Sequence, residues 1–137
     1  MSLLDALRWR LTRKKSIWVL GEDAAAKLMK QRGCTILARN LRLTMGEIDI
    51  LCFDPKTDCI VIVEVKARMR KSDATPMPEA SITAVKKRKL RTLTKAISTR
   101  TQYRNKRIRI DVVAVEFAGD QRTPRSIRHY ESAVGDG

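Results

Sequence analysis

The sequence is short of aromatic residues, cysteines and long apolar runs, and each shortage narrows what the chain can be. Aromatic residues make up 4% of its 137 residues and hydrophobic residues 43%, so Ile, Val, Leu and Ala must supply most of the core. Its three cysteines, an odd number without a C-x-x-C pair, predict buried free thiols in a reducing cytosol. No stretch reaches the ~18 apolar residues of a spanning helix, and the N-terminus lacks the apolar segment of a secretion signal. We therefore expect a cytoplasmic protein with no membrane partner.

Linker-like segments are also missing. No Pro-, Gly- or Ser-rich stretch divides the chain, and its length is near the commonest size of one compact unit. We predict a single domain over residues 16–134, followed by a tail at residues 135–137. Residues 1–15 carry leucines at helical spacing among many basic residues, so a short helix and a basic arm both remain open for this segment.

Negative charge is scarce as well. Lysine and arginine total 29 residues against 15 aspartates and glutamates, which gives a formal net charge of +14. The positive charge collects in residues 8–15, 86–91 and 100–109. A basic face that serves solubility, or one that meets an anionic membrane, is the alternative. Clustering of this kind favours a surface that binds the phosphates of a nucleic acid.

The spacing of apolar residues predicts an α/β fold. Apolar or small residues recur at helical spacing from Ile17 to Gly33, and Gly33 can end that helix. A second amphipathic helix is predicted over residues 82–99, with Val85 and the other apolar residues on one side and the basic run on the other. Between and after the helices, β-rich segments predict strands at residues 35–40, 47–53, 59–67, 108–117 and 126–130. This order implies a mixed sheet flanked by helices, with a mobile loop at residues 69–80 that could close over a substrate.

The second and third predicted strands carry the most informative residues. Side chains alternate along a strand, so Glu47 and Asp49 share one face, as do Glu64 and Lys66, while the intervening Ile and Val residues take the other. If residues 55–58 form a four-residue turn, Asp49 lies opposite Glu64 and Glu47 opposite Lys66. In the other same-face register, Asp49 and Glu64 are diagonal neighbours.

Carboxylates that lie close together repel each other unless a positive charge neutralises them, and a divalent cation is the usual source of that charge. We expect Mg²⁺ or Mn²⁺ at Asp49 and Glu64, with Lys66 holding or deprotonating an attacking water. That arrangement predicts hydrolysis of a phosphodiester. The alternative is a pair of strands whose polar face meets water, with Glu47 and Lys66 as an ordinary cross-strand ion pair.

An Asp followed, after a hairpin-length interval, by Glu-x-Lys resembles the PD-(D/E)XK core of restriction-endonuclease-like nucleases. Ile48 stands where that core has a proline. More specifically, the chain resembles the YraN-like family of bacterial proteins from about residue 16 to residue 134. The motifs that carry this resemblance are Gly21-Glu22, Gly46-Glu47-Ile48-Asp49-Ile50, Val63-Glu64-Val65-Lys66-Ala67-Arg68, Ile82-Thr83 with Lys86, Arg109-Ile110-Asp111-Val112-Val113 and the segment 127–133. The resemblance implies a restriction-endonuclease-like fold, like that of Holliday junction resolvases.

The same resemblance implies further site residues. A glutamate on the first helix often completes such a site, and Glu22 occupies the matching position as a metal or water ligand. Junction-cutting relatives of the fold are dimers, so two copies of this chain could pair. On charge and position, we expect the nucleic-acid backbone to be held by Arg68, Arg70, Lys86, Lys87, Arg88, Lys89 and Arg91.

The function expected from the sequence is metal-dependent endonucleolytic cleavage, with DNA, including branched DNA, favoured over RNA as substrate. Two rivals remain open. One is a binding module of the same fold that does not cleave. The other is an RNA- or ribosome-associated factor that uses its charge to hold folded RNA. Two other polar residues are not assigned to the site: we expect Asp111 to have a structural role, as a cap or a polar contact at the sheet edge, and His129 to be incidental.

Overall fold

A computed structural model describes residues 2–4, 16–70, 77–119 and 122–135. Within these residues lie a five-stranded sheet and two α-helices, the α/β architecture of a restriction-endonuclease-like domain. The bulk of the predicted N-terminal segment, including its basic cluster, falls outside the described residues, as do residues 71–76 of the predicted loop. The helices are α1 (Ile17–Gln31) and α2 (Ala84–Ser98); the strands are β1 (Thr35–Leu43), β2 (Gly46–Asp54), β3 (Cys59–Arg70), β4 (Arg107–Ala118) and β5 (Ser126–Tyr130).

The strands lie side by side in chain order, β1-β2-β3-β4-β5. All neighbours are antiparallel except β3 and β4, which run parallel over twelve paired residues. A parallel pair needs a crossover, and α2 provides it. The sheet is therefore mixed, as the order of elements predicted.

Both helices begin at a side-chain cap. Ser16 accepts a hydrogen bond from the Val19 amide at 3.3 Å, and Thr83 accepts one from the Lys86 amide at 3.2 Å. Such caps satisfy amides that have no partner within the helix. After α1, Gly33 adopts a φ of +91°, a conformation that favours glycine, and this confirms the predicted end of that helix.

The core has two layers, one on each face of the sheet. On the α1 face, α1 packs on Ile50, Val63 and neighbouring residues. On the α2 face, Leu90, Leu93 and Ile97 of α2 pack on residues that include Ile48 and Ile62. The sequence prediction that Ile48 and Ile50 share a face is therefore wrong. Since Ile48 and Leu51 pack in the same cluster, the simple alternation of β2 fails near Asp49.

Three further predictions need correction. Strand β3 continues to Arg70, and a short 3-10 helix occupies Pro78–Ser81, so the segment predicted as a loop is in part regular structure. Val85, predicted to belong to the apolar side of α2, is 66% exposed. Strand β1 extends three residues beyond its predicted end, to Leu43. No helix in the described part of the chain has the length and apolar character needed to cross a membrane.

Candidate active site

The site forms where the β2–β3 hairpin opens. Asp54 pairs with Cys59 across the turn, which is the predicted register, and the ladder continues as far as Ile50 and Val63. Beyond that pair, the Asp49 carboxylate accepts a hydrogen bond from the Val65 amide at 2.8 Å. A side chain thus takes the place that a backbone carbonyl holds along the rest of the ladder, and this brings the Asp49 carboxylate against β3.

Glu64 lies at the centre of the site. It is only 4% exposed, and its Oε1 is 3.5 Å from Lys66 Nζ and 3.3 Å from Lys86 Nζ. Glu64 and Lys66 are two residues apart on β3, so both face α2. A buried carboxylate is costly unless it is paired, and here two ammonium groups share that role.

Lys86 was predicted to bind phosphates on the outer face of α2, but the structure places it on the inner face. The residues 86, 90, 93 and 97 follow the spacing i, i+4, i+7, i+11, which is one stripe of a helix. Leu90, Leu93 and Ile97 of this stripe are buried, and Lys86 extends it by one turn towards Glu64. The same spacing in the sequence could have identified Lys86 as a residue of the site.

Asp49 carries charge that its surroundings compensate only in part. Burial and the nearby Glu64 carboxylate raise its pKa from 3.8 to about 7, with a smaller upward effect from Glu22. The Val65 amide and Lys86 act in the opposite direction. Charged groups from both helices and from β3 therefore act on this one carboxylate, which can take or release a proton near neutral pH.

Glu22 reaches the same region from α1. The helix approaches β3 closely at Gly21, where an added Cβ would lie 2.6 Å from the Cβ of Ala67. Burial raises the pKa of Glu22, against the lowering effect of its hydrogen bond with Asn40. With its amide nitrogen facing the carboxylates, Asn40 donates to Glu22 at 3.2 and 3.3 Å and to Glu47 at 3.2 Å. Asn40 is a residue of the site that sequence analysis missed.

Glu47 lies away from Lys66, its expected partner. Its carboxylate is 3.7 Å from Arg42 on β1, and Arg42 and Glu47 are paired across the β1–β2 hairpin. Lys66 is instead committed to Glu64. The cross-strand ion pair between Glu47 and Lys66 that the sequence left open is therefore not what the structure contains.

Glu22, Asp49 and Glu64 are the residues that could hold a divalent cation. Their oxygens are the donors that Mg²⁺ and Mn²⁺ prefer, and the raised pKa of Asp49 is what an added positive charge would reverse. Within the described ranges, however, no three His, Cys, Asp or Glu side chains are already gathered as a metal cluster. The donor chemistry fits a metal, but the ligands would have to draw together around it.

The other predicted phosphate-binding residues are distributed over several surfaces. Arg68 continues the α2 face of β3 beyond Lys66, whereas Arg70 donates to the buried Glu116 at 3.0 Å. Arg91 donates to the carbonyl of Gly135 at 2.8 Å. Lys87, Arg88 and Lys89 occupy three different directions around α2, with Lys89 near Gly46 in the β1–β2 hairpin. The basic run thus surrounds α2 rather than forming one face.

A second polar network lies on the α1 face of the sheet, where Asp111 is paired with Val63, and holds the fold together. Asp111 is fully buried and accepts from Arg109 Nε at 3.0 Å, His129 Nε2 at 2.8 Å and the Ser132 amide at 3.0 Å. Arg32 can only donate, so its contact with Nδ1 of His129 at 2.7 Å places the imidazole proton on Nε2. His129 is therefore an integral part of this network, and the expectation that it is incidental was wrong. Asp111 has the structural role predicted for it.

Known proteins resemble this chain over most of its length. The model of the uncharacterised protein family UPF0102 matches residues 21–115, a range that contains the carboxylates and lysines of the site. A UPF0102 protein of Pelotomaculum thermopropionicum is 35% identical over 120 residues, covering 88% of this chain and 96% of the relative. One of Desulforamulus reducens is 31% identical over 122 residues, covering 88% and 97%. One of Kineococcus radiotolerans is 34% identical over 117 residues, covering 85% and 91%.

Proposed function

We propose that this chain, which belongs to the UPF0102 family, the YraN-like family that its motifs resembled, is a metal-dependent endonuclease that hydrolyses phosphodiester bonds in DNA. One observation carries the proposal. The buried Glu64 carboxylate is held by Lys66 and Lys86 beside Asp49, whose pKa is raised to about 7. Carboxylates and amines brought together in this way suit the transfer of a phosphoryl group.

The cation of this proposal is Mg²⁺ or Mn²⁺, which Asp49, Glu64 and Glu22 would hold. When bound, such a cation polarises a phosphoryl oxygen and neutralises charge at the reacting phosphate. Asp49 and Glu64 would supply oxygens from adjacent strands, and Glu22 would supply one from α1. Asn40, which donates to Glu22, orients that carboxylate.

The lysines have separate roles in the proposed reaction. Lys66 is partly open to solvent while its ammonium stays 3.5 Å from Glu64, so it can hold the attacking water at the edge of the carboxylates. Lys86 approaches the same oxygen from α2 and places a positive charge where the phosphate gains negative charge. Because Lys86 is fixed by its helix, this charge is in place before the substrate arrives.

The DNA backbone is held by basic side chains around the site. Arg68 continues the row of Glu64 and Lys66, while Lys87, Arg88 and Lys89 project from the start of α2. Arg70 and Arg91 are not part of this surface, because Arg70 donates to Glu116 and Arg91 donates to the Gly135 carbonyl. Binding through phosphates should weaken steeply as salt is added. Dimerisation of the chain, with each copy cutting one DNA strand, remains a prediction.

The test is incubation of the purified protein with labelled duplex, single-stranded, flapped and four-way-junction DNA and with structured RNA, in Mg²⁺ or Mn²⁺. The variants are Asp49→Asn and Lys66→Met, each beside a control with the same change at an exposed site, Asp58→Asn and Lys95→Met. We expect cleavage of at least one DNA substrate, lost by a factor of about 100 or more in the site variants and retained in the controls. Cleavage that persists in both site variants would refute the proposal.

A second candidate is a nucleic-acid-binding module without cleavage. It is favoured by the two lysines on Glu64, which already supply the positive charge that a metal would bring, and by the lack of a ready metal cluster among the residues described. Metal-independent binding that survives Asp49→Asn, with every substrate left intact, would support it. Salt-sensitive binding to structured RNA but not to DNA would instead support an RNA-associated factor.

A further inference from the structure

A pocket of about 540 Å³ opens beside Glu64 on the α2 face of the sheet. Glu64 on β3 is paired with Val112 on β4, and Val112 is paired with Tyr130 on β5. Side chains of paired residues point to the same face, so Glu64, Val112 and Tyr130 form one row across three strands. Val112 and Tyr130 line the pocket, which therefore adjoins the candidate active site.

The walls combine apolar surface, one aromatic ring, one ammonium group and the carboxylates of Glu79, which is paired with Arg128, and Glu131. Ile82, Val112 and Ala133 provide apolar surface, and Lys87 lines the pocket next in sequence to Lys86 of the active site. Tyr130 is 40% exposed, and its hydroxyl donates to Glu79 at 2.8 Å. That hydrogen bond holds the hydroxyl end of the ring in place while part of the side chain stays open to solvent.

We infer that this pocket receives one unstacked base of the nucleic-acid strand whose phosphates pass the active site. A base needs an apolar slot, and an aromatic side chain is a common stacking surface for it. The strand that carries the base also needs a cation for its phosphate, and Lys87 supplies one at the pocket. The volume lies within the range of small-molecule sites, and such a pocket suits single strands or branch points better than intact duplex.

The inference rests on the proposed function only in assuming a nucleic-acid ligand, so it can be tested without cleavage. The assay is fluorescence anisotropy in EDTA with two dye-labelled single strands of about 12 nucleotides, one with bases and one with abasic sugars throughout. Tyr130→Leu removes the ring, and Tyr130→Phe keeps it; both lose the bond to Glu79, so their difference isolates the ring. Trp18→Leu is the control, because Trp18 is an aromatic residue 68% exposed on α1.

We expect Tyr130→Leu to weaken binding of the base-bearing strand on the order of tenfold, and Tyr130→Phe and Trp18→Leu by less than about twofold. Binding of the abasic strand should be weaker in the wild type and equal in all variants. Ala133→Leu, which fills the pocket without altering Tyr130, should also reduce the preference for bases. Circular dichroism at the assay temperature verifies that each variant is folded.

Equal binding of the two strands by the wild type, or equal loss in the Leu and Phe variants, would overturn the inference. An occupant of another kind, such as a peptide side chain, would give that result. The two proposals fail separately. If the protein cleaves DNA but binds the two strands equally, the proposed endonuclease activity stands and the base pocket is rejected. If binding depends on the bases but no substrate is cleaved, the base pocket stands and the binding module is supported.

Discussion

Replacing Asp49 by asparagine should stabilise the protein at alkaline pH and have little effect near pH 4. Asparagine has nearly the same shape and can still accept the hydrogen bond that the Val65 amide donates to Asp49 at 2.8 Å. What it lacks is the negative charge. In the wild type that charge develops beside Glu64 in a partly buried position, which is why the pKa of Asp49 is raised to about 7.

The size of the effect follows from the difference between the folded and unfolded pKa values. Between the ordinary value of 3.8 and the folded value of about 7, the folded protein keeps a proton that the unfolded chain releases. The wild type therefore loses stability as pH rises, by about 1.4 kcal/mol per pH unit. Over roughly three units the loss is about 4 kcal/mol, and above pH 7 it stays constant. The variant has no carboxyl at this position, so its stability does not fall for this reason as pH rises.

The assay is urea unfolding of both proteins in EDTA, followed by circular dichroism at pH values from about 4 to 8. The difference between the two free energies of unfolding isolates Asp49 and its interactions with neighbouring charges, since the remaining titrating groups are common to both proteins. We expect the advantage of the variant to grow across this range and then level off. If the difference in free energy of unfolding between the two proteins is the same at pH 4 and pH 8, the reasoning that ionisation of Asp49 destabilises the folded protein is refuted.

Three other predictions test the site and its support. At about pH 8, Mg²⁺ at a hundred times its dissociation constant should raise the free energy of unfolding of the wild type by about 2.7 kcal/mol, but not that of Asp49→Asn. Equal stabilisation of the two proteins would mean that the ion binds elsewhere. Lys86→Met leaves buried Glu64 with one ammonium partner instead of two and should cost about 1–3 kcal/mol in urea unfolding at neutral pH, and an unchanged midpoint would contradict the pairing. Gly21→Ala should cost about 1–3 kcal/mol in thermal unfolding despite the higher helix propensity of alanine, because the new Cβ meets Ala67 at 2.6 Å. Adding Ala67→Gly should recover part of that loss, and no recovery would refute the contact.

The register of the central hairpin could be predicted because its turn is encoded locally. Asp54 accepts hydrogen bonds from the Lys56 amide at 3.0 Å and from the Thr57 hydroxyl at 2.9 Å, which closes the turn at residues 55–58. Once Asp54 and Cys59 are paired, the period of two aligns the residues as far as Ile50 and Val63. The order of the elements was equally accessible, since both helices have clear apolar periodicity and most of the predicted strands are rich in Ile, Val and Leu.

The details of the site could not be predicted in the same way. Counting residues along β2 assumes an unbroken alternation, and Ile48 and Ile50 break it by packing on opposite faces of the sheet. Asn40 joins the site from β1 through a contact with Glu22, which has no local signature in the sequence. The partner of Asp111, His129, depends on how β5 lies beside β4. These are tertiary contacts, and local periodicity does not encode them.

The hydrogen bond from the Val65 amide to Asp49 gives the protein a spectroscopic reporter. An amide proton that is bound to a carboxylate resonates differently when that carboxylate gains a proton, so the ¹H–¹⁵N signal of Val65 should shift with the charge of Asp49. Following this peak through a titration would measure the ionisation of one partly buried acid in the intact fold. The same peak would respond when a cation or a phosphate changes the local field, so in ¹⁵N-enriched protein one resonance can monitor events at the site without an attached dye or probe.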